Sequence, residues 1–253
     1  NVRINDPRGT DYSVSVPVDE LAPETISMWT FKHRSNPIFP RRAKRSNRRF
    51  GGRGNEYLSW LQTDPRWANK KLGNSNDTMA KSGCAVTSVA ILTVYSQSIV
   101  DSKYDPGYLC DYLNDNKGFD GSGNIIWGVA PGMTHAGRGD FKNCDKSDIV
   151  KTVAKLMSDG YFVTLCVDNG NHYVAVLTVD PSNNVIAMSD PAQNEITDLF
   201  TKYPASSCDS YHYFKGSESP VELSYIKSGL ANNSSSVVNK AKSVIEPIQE
   251  GSS

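Results

Sequence analysis

The sequence predicts an α+β fold, with a buried helix and an amphipathic helix preceding, and packed on, an antiparallel sheet. Three observations predict it. Ser82–Gln97 (SGCAVTSVAILTVYSQ) places Ala85, Val86, Val89, Ala90 and Thr93 at helical spacing with almost no charge, as expected of a helix buried on all sides. Ser147–Asp159 is amphipathic, with Ile149, Val150, Val153, Leu156 and Met157 on one face. After it come three β-rich runs, Tyr161–Val167, Tyr173–Val179 and Val185–Ser189. Helices first and a hairpin-connected sheet later is an α+β order.

Taken in chain order, residues 1–55 read as an extension. Tyr12–Val18 alternates like a short strand, and Trp29 and Phe31 are expected to be buried. Pro40–Gly54 (PRRAKRSNRRFGGRG) sets Arg41, Arg42, Lys44, Arg45, Arg48, Arg49 and Arg53 between a proline and three glycines. Like charges at that density repel, so the stretch reads as an exposed linker. The globular part runs over 56–225. Ser82 is read as the N-cap of the buried helix, which puts Cys84 in its first turn. Tyr108–Leu113 reads as a short helix. Ser147 is read as the N-cap of the amphipathic helix, and Gly160 stands where a left-handed C-terminal glycine is expected. Asp180-Pro-Ser-Asn-Asn184 is a turn that joins the last two strands into a hairpin. Residues 226–253 are Ser/Asn-rich, with a weak helical patch at Val237–Ile245, and read as a tail.

The 253 residues carry 27 basic and 27 acidic side chains, a net charge of zero. That balance argues against a chain that coats nucleic acid, and no apolar run approaches the roughly 18 residues of a membrane span. The balance hides a split. Residues 1–55 hold 11 basic and 5 acidic residues (+6), and residues 56–253 hold 16 and 22 (−6). The first residue is Asn1 with no charged-then-apolar leader after it, which reads as a processed or trimmed product. Five cysteines, Cys84, Cys110, Cys144, Cys166 and Cys208, form no C-x-x-C pair, which speaks against a zinc ribbon or a redox dithiol. Their odd number leaves at least one thiol outside any internal disulfide.

Three residues stand out by position. Cys84 lies at a helix N-terminus, where unpaired N–H groups and the helix dipole favour an anion. Gly83 before it leaves room for a substrate backbone. His172 opens a strand after the turn Asp168-Asn-Gly-Asn171, and Asp190 closes the neighbouring hairpin strand before Pro191. Antiparallel pairing makes the last two neighbours. A carboxylate that accepts one imidazole N–H leaves the other nitrogen for a thiol. The order Cys…His…Asp is that of nucleophile, base and orienter.

These residues carry a resemblance. Gln62-x-Asp64-x-x-Trp67, Ser82-Gly-Cys-Ala-Val-Thr-Ser88, Asn171-His-Tyr-Val-Ala-Val176 and Ser189-Asp-Pro191 together resemble the C39-like cysteine peptidases of the papain-like clan, over residues 57 to 192. The resemblance implies a papain-like fold with the nucleophile on the central helix. It implies a cysteine peptidase with Cys84 as nucleophile, His172 as general base and Asp190 as orienter, acting on a peptide or protein. It also implies Gln62 as an oxyanion-hole donor, no metal or other cofactor, and a bacterial, extracellular or cell-surface setting. The extension, residues 1 to about 53, is read either as a propeptide that the enzyme itself removes, by a cut after a basic residue or after Gly51-Gly52, or as a solvated or partner-binding arm.

Each residue has a plainer alternative. Cys84 could be a small core residue, His172 a strand-end surface histidine, and Asp190 a turn cap. Gln62 could bond only backbone, and Trp67 is read as a packing anchor. Trp127, at the end of the glycine-rich Gly121–Trp127, either lines the substrate cleft or is a buried loop aromatic. Asp120–Ile125 mimics the middle of a calcium loop but lacks carboxylates at Gly118 and Val129. Cys110, Cys144, Cys166 and Cys208 are read as structural, and His33, His135 and His212 as ordinary histidines. The rival functions are cell-wall hydrolysis and a non-catalytic peptide-binding role.

Overall fold

The structure is a computed structural model that describes residues 2–5, 13–16, 38, 55–221 and 223. The chain divides into two compact units, residues 1–34 and 35–253. In the first, β1 (Val2–Asn5) pairs antiparallel with β2 (Ser13–Val16), which falls inside the predicted strand Tyr12–Val18. Trp29, Phe31, His33, the basic stretch 40–54 and the tail 226–253 lie outside the described residues.

The second unit is α+β. Its helices are α1 (Met79–Ser82), α2 (Cys84–Tyr95), α3 (Pro106–Asp115), α4 (Lys146–Ser158) and α5 (Leu199–Lys202). Its strands are β3 (Met133–Asp140), β4 (Phe162–Val167), β5 (His172–Asp180), β6 (Val185–Asp190), β7 (Gln193–Asp198) and β8 (Ser210–Gly216). They form one antiparallel sheet in the order β3-β8-β4-β5-β6-β7. The sheet is sandwiched. On one face Phe162, Ala175, Leu177 and Phe214 pack with α2, and on the other Val163, Leu165, Val174 and Val176 pack with Ile149, Val150, Val153 and Met157 of α4. β4 is buried on both faces, which is why its sequence is continuously apolar rather than alternating. No helix among the described residues is long and apolar enough to cross a membrane.

Two predicted helix starts are corrected. Ser82 ends α1, and its hydroxyl donates to Asp77 Oδ2 (2.7 Å). The residue before α2 is Gly83, so Cys84 is the first residue of the helix. For α4 the cap is Asp145, whose carboxylate accepts the Asp148 N–H, not Ser147. An aspartate there also meets the positive end of the helix dipole. Asp105 caps α3 in the same way and extends it beyond the predicted Tyr108–Leu113. The predicted stop at Gly160 holds. Its φ is +89°, and the Gly160 and Tyr161 N–H groups close back on Met157 O and Leu156 O.

Strands β3, β7 and β8 were not foreseen. β3 (MTHAGRGD) carries two glycines, which are uncommon inside strands. In the sheet Gly137 faces Tyr213 and Gly139 faces Tyr211, and each tyrosine ring lies where a glycine side chain would be. The cross-strand aromatics fill the strand's gaps.

Candidate active site

Two contacts fix how α2 lies on the sheet. Ser88 Oγ donates to Tyr173 O (3.1 Å), and about two turns later Tyr95 Oη donates to Leu177 O (2.6 Å). The helix therefore runs in the same sense as β5. One turn before Ser88 stands Cys84, and one residue before Tyr173 stands His172. The helix start and the strand start meet.

β5 begins there because of the turn before it. Asp168, Asn169 and Gly170 hold φ of +53°, +54° and +91°, left-handed conformations that Asp, Asn and Gly tolerate best. The turn closes with Val167 opposite His172. The second hairpin closes through Asp180, whose Oδ1 accepts the N–H groups of Ser182 and Asn183, and sets Ala175 opposite Ser189. Continuing that register puts Asp190 diagonal to His172 on one face, within reach of a long side chain. The structure realises this contact: His172 Nε2–H donates to Asp190 Oδ1 at 2.7 Å. The Cys84 side chain is the other neighbour that favours the protonated ring, and Nδ1 is the nitrogen left for it. Cys84, His172 and Asp190 thus form one connected set, despite 88 and 18 positions of separation.

Asp190 is fully buried. A lone carboxylate there would cost several kcal/mol, about the penalty for an unpaired buried ion. Four donors offset it. Oδ1 accepts from His172 and from the Ala192 N–H (2.8 Å), while Oδ2 accepts from Lys202 Nζ (2.6 Å) and Tyr203 Oη (2.9 Å). Burial pushes the carboxyl pKa up, but these bonds, His172 and Lys202 foremost, outweigh it and hold the group well below the usual carboxylate range. For His172 the balance has the opposite sign. Burial disfavours the imidazolium, but Asp190 and Cys84 overcome it and raise the pKa to about 9. The ring therefore keeps its proton through neutral pH.

The remaining thiols differ. Burial raises Cys110 to about 12 and Cys208 to about 11, and it raises Cys166 as well. All five cysteines are free, with Cys144 the half-buried one.

A model of the peptidase C39-like family matches residues 57–219, more than half of the chain. The chain belongs to the peptidase C39-like family. No curated protein matches the sequence. The α+β architecture, with α2 packed on a six-stranded antiparallel sheet, is consistent with the papain-like arrangement expected for the family.

In this C39-like chain Gln62 is held at both ends of its residue. Its N–H donates to Pro191 O (2.9 Å), directly after Asp190, and its Nε2 donates to Ala80 O (3.0 Å). Ala80 O is the carbonyl that an uninterrupted helix would pair with the Cys84 N–H. With the helix restarting at Cys84, that N–H belongs to the unpaired donors of a helix start. Gln62 is buried, and its Oε1 has no partner among the described residues.

Gly83 has a reason the sequence did not supply. A side chain there would collide with the Met79 carbonyl and approach Met79 Cα to 2.8 Å, so glycine permits the tight α1–α2 junction. Trp67 is a packing anchor: it is 1% exposed, meets Trp60 edge-on, and donates its Nε1–H to Leu61 O. Trp127 is half-buried and stacked on His212 (centroids 3.9 Å apart), with Tyr173 at 5.1 Å. His212 is paired with His135, Nδ1 to Nε2 at 3.0 Å, and is held neutral by burial first and by His135 and Arg138 next, with its pKa lowered to about 4. The Asp120 carboxylate is spent on its own loop, accepting from Ser122 and Asn124. Among the described residues no group of three or more His, Cys, Asp or Glu could hold a metal.

Lys202 and Tyr203 are site residues that sequence reading missed. Asp198-Leu-Phe-Thr-Lys-Tyr203 carries no motif, and α5 is a four-residue helix too short to show a period.

Proposed function

We propose that the chain is a cysteine peptidase. The observation that carries the reading is an imidazole that donates to a fully buried carboxylate and is held protonated by that carboxylate and by the side chain of Cys84, the first residue of α2. In this mechanism the Cys84 thiolate attacks the carbonyl carbon of a peptide bond. The Cys84 N–H and the second amide proton of Gln62 receive the oxyanion. His172, already protonated, gives its Nδ1 proton to the leaving amine as the C–N bond breaks. A thioester remains on Cys84. Neutral His172 then takes a proton from water, the hydroxide attacks the thioester, and the acid product leaves. Asp190 keeps the ring oriented throughout. Trp127 and Gly83 are assigned to the substrate side, with Trp127 offering an aromatic face beside Tyr173. Incubating the protein and its Cys84→Ala variant with a peptide library tests the reading. Cleavage by the first alone supports it, and cleavage by both or neither sinks it.

The same site is proposed to cut its own extension. Ile38 is bridged to Val179, at the end of β5 away from His172 (Ile38 N–H to Val179 O, 2.6 Å). Leu58 O accepts from Ser189 Oγ (2.6 Å), next to Asp190. Ile38 and Leu58 thus lie at opposite ends of the sheet, with the 16 residues 39–54 among those between them in the sequence. At about 3.3–3.6 Å per residue, 16 residues can span at most roughly 55 Å, nearly twice the length of the nine-residue β5 and enough to pass the site. N-terminal sequencing after long incubation should find a cut between Arg41 and Gly54 in wild type but not in Cys84→Ala. Identical termini in the two would refute self-processing.

A further inference from the structure

Asp190 divides its two oxygens between two sets of partners. Oδ1 faces His172 and the Ala192 N–H, and Oδ2 faces Lys202 Nζ at 2.6 Å and Tyr203 Oη at 2.9 Å. Lys202 is partly exposed (34% of its side chain), whereas Asp190 is not exposed at all. The lysine stem thus bridges solvent and the buried carboxylate, as long basic side chains can.

The arrangement matters when the charge on His172 changes. While the imidazole is protonated, Asp190 has a cation on each oxygen. When His172 has given its proton away, a carboxylate with only His172 as counter-ion would be left buried and alone, the costly condition for an ion in a protein interior. Lys202 bonds Oδ2 and His172 bonds Oδ1, so Asp190 keeps a partner in both states. A second cation on the carboxylate also draws on the charge that the imidazolium uses. Lys202 therefore moderates how tightly His172 holds its proton, and a general acid that must release a proton benefits from that moderation.

We propose that Lys202 and Tyr203 are positioning residues of this site: together they lock Oδ2 so that Oδ1 presents to His172, and Lys202 is a standing counter-ion that keeps Asp190 charged when His172 is neutral. The inference rests on the peptidase reading for its purpose but not for its test. Both residues act through Asp190, to which each is bonded. α5 exists to deliver them, since its four residues end at Lys202 and Tyr203 follows at once.

The test needs no peptide. Protein labelled with 15N-histidine is titrated by NMR, and the His172 midpoint is read in wild type, Lys202→Met, Lys202→Arg and Tyr203→Phe. With the competing cation removed, Asp190 acts on His172 alone. The midpoint in Lys202→Met should rise by about one pH unit, within the range for losing a charge at this separation. Lys202→Arg should restore the wild-type midpoint, and Tyr203→Phe should move it upward by less than Lys202→Met. Substitution that merely loosened the fold would lower the melting temperature without raising the midpoint. An unchanged or lowered midpoint in Lys202→Met overturns the proposal. Should that variant not fold, Lys202→Gln is titrated in its place and judged by the same rule. If the midpoint rises as expected while wild type cleaves no peptide, the counter-ion role stands and the peptidase reading fails. If wild type cleaves and the midpoint does not move, the reverse holds.

Discussion

Replacing Asp190 by Asn should release the His172 proton. The substitution keeps the shape of the carboxylate and removes its charge. In the native site His172 titrates at about 9 against an ordinary 6.5. At about 1.4 kcal/mol per pH unit, that is about 3 kcal/mol in favour of the imidazolium, net of the burial that opposes it. Two partners supply the gain, Asp190 and Cys84, and the hydrogen bond to Asp190 is the largest single favourable contribution. Its loss should lower the His172 midpoint by at least about one pH unit, a conservative figure for removing an adjacent opposite charge. The sign of the stability effect follows. A histidine whose pKa is raised on folding contributes stability fully below 6.5 and loses it as pH climbs through about 9. In Asp190→Asn that window should close near neutrality. A second cost is independent of pH. One end of the Asn amide must present N–H to donors that Asp190 satisfied, either Lys202 and Tyr203 or His172 and Ala192. Unpaired buried donors of this kind cost about 1–3 kcal/mol. The assays are histidine NMR for the midpoint and urea unfolding at pH 6 and pH 9 for stability. A midpoint that stays near 9 in Asp190→Asn would refute the argument that Asp190 holds the proton.

Three further outcomes are expected. Under native alkylation read by mass spectrometry, Cys84 should label well before Cys110, Cys166 and Cys208, whose burial raises their pKa values, and uniform labelling of all five would remove the case for a special thiol. Cys84→Ala and His172→Ala should each lower peptide cleavage by about 10³-fold or more, Cys84→Ala with a melting temperature close to wild type and His172→Ala with a lowered one, because it takes a partner from the buried Asp190 carboxylate. Gln62→Ala should lower kcat by about 10²-fold through loss of an oxyanion donor, with little change in KM, so a pure KM effect would move Gln62 from the oxyanion hole to substrate binding.

Much of the site follows from the sequence alone. Local chemistry decided its parts. Asp168, Asn169 and Gly170 favour left-handed conformations, so β5 starts at His172, and Asp180 with its own turn closes the next hairpin in register with Asp190. A hairpin is a short-range object, and its pairing can be read from the turn and the strand lengths. The apolar run after Cys84 likewise announces a helix buried on every side, as all twelve residues of α2 are. Local reading failed at exact helix starts. Asp145 rather than Ser147 caps α4, because a carboxylate accepts the same bond and adds its charge to the dipole.

What the tertiary structure decided is everything that joins distant segments. Ser88 and Tyr95 reach β5 across 85 and 82 positions and so set the direction of α2, which brings Cys84 to His172. Strand β3 pairs with β8, whose Tyr211 and Tyr213 cover its two glycines, a partnership that the local sequence of β3 does not announce. His135 and His212 look unremarkable 77 positions apart, yet they share a hydrogen bond. Lys202 and Tyr203 leave no trace in sequence, since a single helical turn has no period. They matter because the fold buries Asp190 completely, and a buried charge must be answered by whichever donors the chain can bring to it. Turn chemistry and apolar spacing act over a few residues and can be read in order. Burial, and the partners that burial demands, are properties of the assembled fold.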